Sequence, residues 1–232
     1  MAQTPDPPVG GLRDRFRAQV RSEVKQIAVR QLADGGPQAL SINAIGKELG
    51  VSGPALYRYF SSRDDLLTEL VVDAYHDLAT ALATATRGTR RLSAPERLRA
   101  FAAAYRDWAN TEPHRYRLLF AAPLPGYDAQ AARLVAASRE AMIVLLDVLA
   151  ALTPDNGKAG STDTPLDGQL EHWSHSRELP DVSPALALRA VTTWSRLHGL
   201  VSLEIEGNFA SMGLDPEPLF DAEVIAILNA ST

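Results

Sequence analysis

The stretch GVSGPALYRYFSSRDDL, residues 50–66, decides how this chain folds. It begins with a glycine and brings aromatic, basic and hydroxyl side chains close together, in a chain whose formal net charge is −5. The helical segment within it is too short to be stable alone in water. We therefore expect neighbouring helices to hold it and its polar side chains to serve something outside the core.

Helical periodicity dominates on both sides of this stretch, without the alternation and hairpin turns that are typical of strands. A first helix, ended by the DGGP of residues 34–37, has one side formed by Phe16, Val20, Val24 and Ile27. Ser41 is placed to cap a second helix, which Gly50 closes and whose buried face is Ile42, Ile45 and Leu49. Ser52 is placed to cap a third helix, and Ser62 with Asp65 forms a capping-box pattern that begins a long fourth helix.

The second and third helices, joined by a turn at residues 50–52, have the spacing of a helix-turn-helix motif. In that motif the second helix of the pair enters the major groove of DNA with its N-terminal residues leading. Leu56 and Phe60, four residues apart, are expected to point inward and anchor it. The residues expected to contact DNA are Ser41, Lys47, Ser52, Gly53, Pro54, Ala55, Tyr57, Arg58, Tyr59 and Arg63.

These candidate contacts have different chemistry. The small residues at 53–55 allow a close approach to base edges, and the hydroxyls of Ser52 and the tyrosines can donate to phosphates, which position a protein without reading sequence. Arg58 could read a guanine or pair with a phosphate, and spacing does not decide between the two. Arg63 lies at a helix N-terminus, which also favours a phosphate. Taken singly, Tyr57 and Tyr59 could equally be rim aromatics of a small helical domain.

Charge is distributed unevenly along the chain. Residues 1–63 carry nine basic and five acidic side chains, or +4, whereas the remainder carries 14 basic and 23 acidic ones, or −9. This asymmetry marks the N-terminal quarter as the candidate nucleic-acid face, although a solvated helix face would explain it about as well.

Composition excludes several classes of protein. Apolar residues make up 46% of the 232, which is typical of a globular chain, and the absence of cysteine removes disulfides, thiolate metal sites and cysteine nucleophiles. No run approaches the roughly 18 apolar residues of a membrane span, and the N-terminus lacks a signal-peptide core. We also find no phosphate loop, nucleophile elbow or His-Glu-x-x-His motif. The sequence predicts a cytoplasmic protein without cofactor that is not an enzyme.

The rest of the chain is predicted to be helical as well, giving an all-α protein of about nine or ten helices. We expect a flexible tail at 1–11, a helix-turn-helix domain at 12–70 and a larger helical domain at 71–232. The polar stretch TPDNGKAGSTDTP, residues 153–165, is the best loop candidate. Two helices with a capping residue and then proline end the chain, and their apolar stripes are expected to form a dimer interface: Ala187, Ala190, Val191, Leu197 and Leu200 on one, and Phe220, Val224, Ile227 and Leu228 on the other.

Large rings in an alanine-rich background suggest a binding pocket in the larger domain. The candidate residues are Tyr105, Trp108, Tyr116, Phe120, Met142, Trp173, Trp194 and His198. For any one of these aromatic residues, a plainly packed core is the competing interpretation. His172 and His175 have metal-compatible spacing but no third ligand, so no metal site is predicted.

The stretch LSINAIGKELGVSGPALYRYFSSRDDLLTEL, residues 40–70, resembles the TetR family of bacterial transcriptional regulators. The residues that carry the resemblance are Ile45, Gly50, Val51, Ser52, Tyr57, Phe60 and Leu66. Gly46 stands where the family usually has alanine, and Arg63 stands where lysine is usual.

The stretch WSRLHGLVSLEIEGNF, residues 194–209, resembles the C-terminal domain variant of that family named for its Trp-His-Gly signature. The resemblance implies a ligand-sensing and dimerisation domain behind the DNA-binding one. It leads to the hypothesis of a homodimeric repressor that binds a double-stranded DNA operator and is released by a small, mainly apolar effector. Two alternatives remain open: a ligand-independent DNA-binding dimer controlled by a protein partner, and a helical-bundle enzyme fused to the DNA module.

Overall fold

A computed structural model describes residues 11–88, 93–121, 132–152, 164–179 and 182–230. Residues 1–10 of the predicted tail and 153–163 of the predicted loop lie outside the described residues. The described residues form eleven α-helices and one 3-10 turn, without a strand, so the prediction of an all-α protein is confirmed. The chain divides into two compact units, one ending at Leu70 and the other beginning at Val71.

The first unit contains three helices and the start of a fourth. These are α1 (Leu12–Gly35), α2 (Ile42–Glu48), α3 (Gly53–Leu56) and α4 (Arg63–Gly88), with a 3-10 turn at Pro37–Ala39. Leu56 and Phe60 are each 1% exposed, as their spacing predicts. They pack in a core to which α1 contributes Val24, Ile27 and Ala28, and α2 contributes Ile42 and Ile45.

The apolar side predicted for α1 is buried over only part of its length. Phe16 is 66% exposed and Leu12 is 79% exposed, whereas the apolar side of α1 becomes buried only from Val24 onward. Every residue from 11 to 19 is exposed, so no element within the described part of the chain buries the first two turns of the helix. Of the four apolar residues that share one side of α1, only Val24 and Ile27 are therefore buried.

Glycine shapes the turn between α2 and α3. Gly50 has φ 68°, the left-handed conformation that favours glycine, and the Val51 N–H donates to the Gly46 carbonyl at 2.9 Å. A Cβ on Gly46 would lie 3.0 Å from the Val51 carbonyl oxygen and 3.4 Å from a methyl carbon of Leu56. The glycine that departs from the family pattern therefore lets the turn and α3 pack closely on α2.

Ser52 stands at the N-cap of α3 but its side chain makes no capping hydrogen bond, contrary to the prediction. Pro54, at the second helical position, has no N–H to offer, and the Ala55 N–H donates instead to the Ser52 carbonyl at 2.9 Å. The Ser52 hydroxyl is consequently left on the exposed surface. Ser41 does cap α2, accepting from the Ala44 N–H at 3.3 Å.

The predicted capping box at the start of α4 is half formed. The Asp65 N–H donates to the Ser62 hydroxyl at 3.0 Å, as expected. The Asp65 carboxylate, however, accepts from the backbone N–H and the hydroxyl of Ser61, at 2.8 and 3.0 Å. The carboxylate thus ties the preceding residue, rather than the N-cap residue itself, to the first turn of α4.

The second unit contains the rest of α4 and seven further helices. These are α5 (Ala94–Thr111), α6 (Pro113–Phe120), α7 (Ala132–Leu152), α8 (Pro165–Ser176), α9 (Pro184–Ile205), α10 (Asn208–Ser211) and α11 (Pro216–Asn229). Proline follows a capping residue at the start of α9 and α11, where Ser183 accepts from Leu186 N–H and Asp215 from Glu217 N–H. Within the described residues, no helix combines the length and hydropathy needed to cross a membrane.

The predicted dimer stripes of α9 and α11 lie largely inside the second unit. Ala187, Ala190, Leu197, Phe220, Val224 and Ile227 are at most 5% exposed and belong to its hydrophobic core. The prediction that these residues face a partner is therefore wrong. An apolar stripe marks the face that is buried, and here α9 and α11 bury it against α5, α7 and each other.

Candidate functional site

The first unit exposes one polar surface formed by α3 and the residues after it. Tyr57 is 48% exposed, and Ser52, Pro54 and Arg58 are also exposed. Among the described residues the Arg58 guanidinium has no ion-pair partner. A hydroxyl, a phenol and a cation are thus presented together to solvent, which is the chemistry that contacts a DNA backbone.

Two arginines of α1 hold this segment from behind. Arg17 donates to the Arg58 carbonyl at 3.4 Å, and its guanidinium lies 6.0 Å from the centre of the Tyr59 ring. Arg21 donates to the Tyr59 carbonyl and lies 4.5 Å from the centre of the Phe60 ring. Sequence reasoning missed this role, although the four-residue spacing of Arg17 and Arg21 places them on one face of α1.

Arg21 also forms part of an ion-pair network with α4. Glu69 accepts from Arg21 and, at 3.0 Å, from Lys25. Burial by itself raises the pKa of Glu69, but the hydrogen bonds from Lys25 and Arg21 outweigh it and hold the pKa below its usual range. The network joins α1, α4 and the carbonyl groups behind the exposed surface.

Several predicted DNA contacts have structural roles as well. A Cβ on Gly53 would lie 2.5 Å from the Asn43 side-chain oxygen, so Gly53 makes room for α2. Arg63 is half-buried and donates to the Pro37 carbonyl at 3.4 Å. Tyr59 and Ala55 are half-buried, whereas Lys47 is exposed on α2. The roles of all ten candidates toward DNA stay predictions.

A shallow groove adjoins Arg58 and Tyr59 on the first unit. Its walls include four arginines, three of them on the exposed beginning of α1: Arg13, Arg15, Arg17 and Arg58. Leu12 and Phe16 supply its apolar part. Clustered guanidinium groups on an exposed face are the electrostatic requirement for binding phosphates.

The second unit contains a partly open cavity of about 280 Å³. Five of the eight predicted pocket residues line it: Tyr105, Phe120, Met142, Trp173 and Trp194. They come from five different helices, α5 to α9, which is why no local pattern shows that they meet. The lining is mainly aromatic and aliphatic, as in most small-molecule sites.

Trp108, Tyr116 and His198 do not line the cavity. The indole N–H of Trp108 donates to the Asp77 carboxylate at 2.9 Å, and Asp77 also accepts from Arg115 at 2.7 Å. Trp108 is three residues from Tyr105 on α5, and this rotation about the helix axis is enough to direct its polar edge to Asp77.

Tyr116 and His198 lie behind the cavity wall in an aromatic cluster. The His198 Nδ1 atom lies 2.8 Å from the Tyr116 hydroxyl and 3.3 Å from that of Tyr105. The His198 ring stacks on Trp194, with centroids 5.0 Å apart and planes at 14°, and meets the edge of Phe120 at 4.7 Å. His198 thus orients two rings that do line the cavity.

Burial sets the protonation of this cluster. It lowers the pKa of His198, and it raises the pKa of the Tyr116 phenol to about 12. The imidazole is therefore neutral near pH 7 and the phenol protonated, so the hydrogen bonds of the cluster join uncharged groups.

Sequence reasoning missed ten residues of the cavity wall: Tyr75, Leu78, Leu82, Phe101, Ser138, Arg139, Ala141, Leu145, Arg177 and Val191. The spacing of Tyr75, Leu78 and Leu82 on α4 was a usable signal, because it places them on one helical face. Arg139 and Arg177 gave no usable signal in the sequence, since a long cationic side chain is usually solvated.

The two histidines with metal-compatible spacing do not form part of a metal site within the described residues. His175 Nδ1 lies 2.7 Å from the Glu171 carbonyl oxygen, and no group of three possible metal ligands occurs among the described residues.

Comparison with known proteins identifies relatives for both units. Residues 26–70 match the family described as bacterial regulatory proteins of the tetR family, and residues 98–227 match the tetracyclin repressor-like C-terminal domain. HTH-type transcriptional regulators of Mycobacterium bovis and Mycobacterium tuberculosis are each 35% identical over 228 residues, covering 95% of this chain and 96% of theirs. A crystal structure of a regulatory protein, 39% identical, covers 94% of this chain and 100% of that one with a TM-score of 0.74.

Proposed function

Because the chain belongs to the TetR family of bacterial transcriptional regulators, we propose that it is a homodimeric repressor which binds a palindromic operator and is released by a small, mainly apolar effector. Residues 12–70 are the DNA-binding domain in this proposal, and residues 71–232 bind the effector and form the dimer. A regulator of this kind acts in the cytoplasm.

The exposed surface of the first unit supports the DNA half of the proposal. Arg58, Tyr57 and Ser52 stand exposed on a segment that Arg17 and Arg21 hold by its carbonyl groups. Pre-organised phosphate and base contacts lose little conformational entropy on binding. The four arginines of the adjoining groove extend the positive surface along α1.

The cavity is the single observation that carries the effector half. It occupies about 280 Å³ between six aromatic or sulfur-containing residues of α5 to α9 and one face of α4. Helix α4 is continuous from Arg63 in the first unit to Gly88 in the second. A ligand that shifts α4 within the second unit therefore acts on the same helix whose first residues belong to the first unit.

The exposed faces of α9 and α11 support dimerisation in place of the stripes predicted from sequence. Leu188 and Leu203 of α9 are 40% and 41% exposed, and Ile225 of α11 is 49% exposed. A Cβ on Gly199, between the two leucines, would contact nothing within 4 Å. Apolar side chains around an open glycine position suit the close approach of a second copy of α9.

Release is a population shift in this proposal. The bound dimer places its two α3 helices in successive major grooves, about 34–36 Å apart or a multiple of that distance. The effector binds more tightly to a dimer whose spacing no longer matches, and it can shift the equilibrium only by that difference in affinity.

The test begins with selection of a palindromic duplex and measurement of its affinity by fluorescence anisotropy. Binding should weaken steeply between 50 and 200 mM salt as counterions are released. A panel of apolar compounds is then screened by thermal shift, and compounds that raise the melting temperature should release the duplex. Trp194→Phe should weaken binding of an identified effector, whereas Trp108→Phe, outside the cavity and conservative in volume, serves as the matched control.

The outcomes separate the proposal from its rivals. Salt-independent binding, or no selected duplex, contradicts the DNA half. Tight operator binding that no apolar compound alters favours a ligand-independent dimer controlled by a protein partner. Light scattering tests the dimer: Leu203→Glu with Ile225→Glu should give a folded monomer, whereas Leu214→Glu, exposed outside both helices, should leave the dimer intact.

A further inference from the structure

Two arginines are the charged residues in the mainly apolar wall of the cavity. Arg139 of α7 and Arg177, directly after α8, line it together with aromatic residues. Their partners within the described residues are few: Arg139 pairs with Glu178 at 2.6 Å, and the Arg177 guanidinium lies 5.5 Å from the centre of the Trp173 ring. A wall of this composition has one region that favours negative charge.

The pairing of Arg139 is incomplete. Its Nε atom is buried without a hydrogen-bond partner among the described residues, and a buried polar atom without a partner is costly. Its partner Glu178 is 82% exposed, and ion pairs of exposed side chains contribute little. Because Glu178 is solvated, an anionic group inside the cavity would displace it from the Arg139 guanidinium at little cost.

Arg177 is placed to complete the same site. Its cation lies over Trp173, and both residues line the cavity. Two guanidinium groups beside apolar surface attract an anion more strongly than they would in water, and they repel a cation. Guanidinium also binds the planar oxygen pair of a carboxylate through two parallel hydrogen bonds.

We infer that the effector is an amphipathic anion: an alkyl or aryl body that packs among Phe120, Met142 and Trp194, with one compact anionic head group bound by Arg139 and Arg177. The volume of about 280 Å³ sets its size, since a water molecule takes about 30 Å³ of liquid. On that scale the cavity admits about nine non-hydrogen atoms. The inference rests on the effector half of the proposed function.

The experiment compares head groups on one body by calorimetry with the full-length protein. Octanoate and octyl phosphate are the two anionic probes, octanol is the neutral one and octylamine the cationic one. At least one anion should bind about tenfold or more tightly than octanol, and octylamine more weakly than octanol. The comparison of the two anions tells which oxygen acid the site prefers. The series is repeated with 3-phenylpropanoate and 3-phenylpropanol for an aryl body.

Variants then locate the head group. Arg139→Gln and Arg177→Gln should each weaken the preferred anion about ten- to hundredfold while changing octanol affinity less than about threefold. Retained octanol binding shows that the cavity of each variant is still formed. Arg133→Gln, exposed on the same helix as Arg139 and outside the cavity wall, is the matched control. Glu178→Gln should tighten anion binding by up to about fivefold, because it removes the competing carboxylate.

Two results would overturn the inference. The first is equal affinity for anion and alcohol in both series, or an equal loss of affinity for anion and alcohol in the arginine variants. Either outcome would contradict an anionic head-group site while leaving the proposal of an apolar effector intact. Absence of binding by every probe overturns the inference together with the effector half of the proposed function, and leaves the DNA half to its own salt and operator measurements.

Discussion

The two units use arginine in different ways. In the first unit Arg17 and Arg21 donate to backbone carbonyl groups and so fix the exposed segment that carries Arg58. In the second unit Arg139 and Arg177 stand at the wall of a cavity, with one exposed carboxylate and one aromatic ring as their described partners. The first arrangement is complete without a ligand, whereas the second leaves one guanidinium with only a solvated carboxylate and the other with only a ring, so the two units are expected to respond differently to removal of a side chain.

The largest expected effect comes from Phe60→Ala in the first unit. Phe60 is 1% exposed, and truncation of a buried phenylalanine costs about 3–5 kcal/mol of stability. Operator binding should be lost. If the two units fold independently, an effector of the second unit should still bind with unchanged affinity, which calorimetry measures. Loss of both activities would show that the two units fold as one cooperative unit.

The next effect concerns the two exposed neighbours on the DNA surface. Arg58→Ala should cost about 1–3 kcal/mol of operator binding and relax preference at one base pair per half-site if Arg58 reads a guanine. Tyr57→Phe should weaken all duplexes alike, since phosphates carry no sequence. Affinities for the operator and its single-base variants decide this. Equal, sequence-blind losses would make Arg58 a phosphate contact, and no loss from either would remove α3 from the interface.

A smaller effect tests the ion-pair network behind that surface. Glu69→Gln should destabilise the protein by about 1–2 kcal/mol at pH 7. The pKa of Glu69 is lower in the folded state than in the unfolded one, so its stabilisation is present above the unfolded value, near 4.5, and fades as pH falls through the folded value. Denaturant unfolding of wild type and variant should therefore converge below about pH 4.5. A constant difference across pH would assign the effect to packing.

The smallest effect compares two serines at helix N-termini. Ser183 accepts from the Leu186 N–H at 3.3 Å, so Ser183→Ala should lower the free energy of unfolding by about 1 kcal/mol. Ser52 makes no such bond, so Ser52→Ala should change the free energy of unfolding by at most about a few tenths of a kcal/mol. This substitution should instead weaken DNA binding. Unfolding curves and operator affinity together separate the two roles. A stability loss from Ser52→Ala as large as that from Ser183→Ala would contradict the assigned geometry.

What could be predicted from sequence depended on distance along the chain. Leu56 and Phe60 were placed correctly because helical spacing and nearby caps act within a few residues. The cavity needs five helices, and whether a ring lines it depends on small rotations: Tyr105 does and Trp108 does not. Arg139 was not found because the burial of its Nε atom arises only from tertiary packing. The predicted dimer interface of α9 and α11 was wrong for a related reason. Helical periodicity identifies the apolar face that becomes buried, but it does not show what packs against that face.

The exposed beginning of α1 has a kinetic consequence. None of the other described elements buries the first turns of α1, and such a helix end is marginal in water, so residues 12–16 should exchange between ordered and frayed states. A frayed cationic segment sweeps a larger volume than a rigid one and can capture a polyanion before the rest of the domain docks. Amide hydrogens of residues 13–16 should therefore exchange with solvent much faster than those of 24–28 in the free protein, and the difference should narrow when duplex DNA is added.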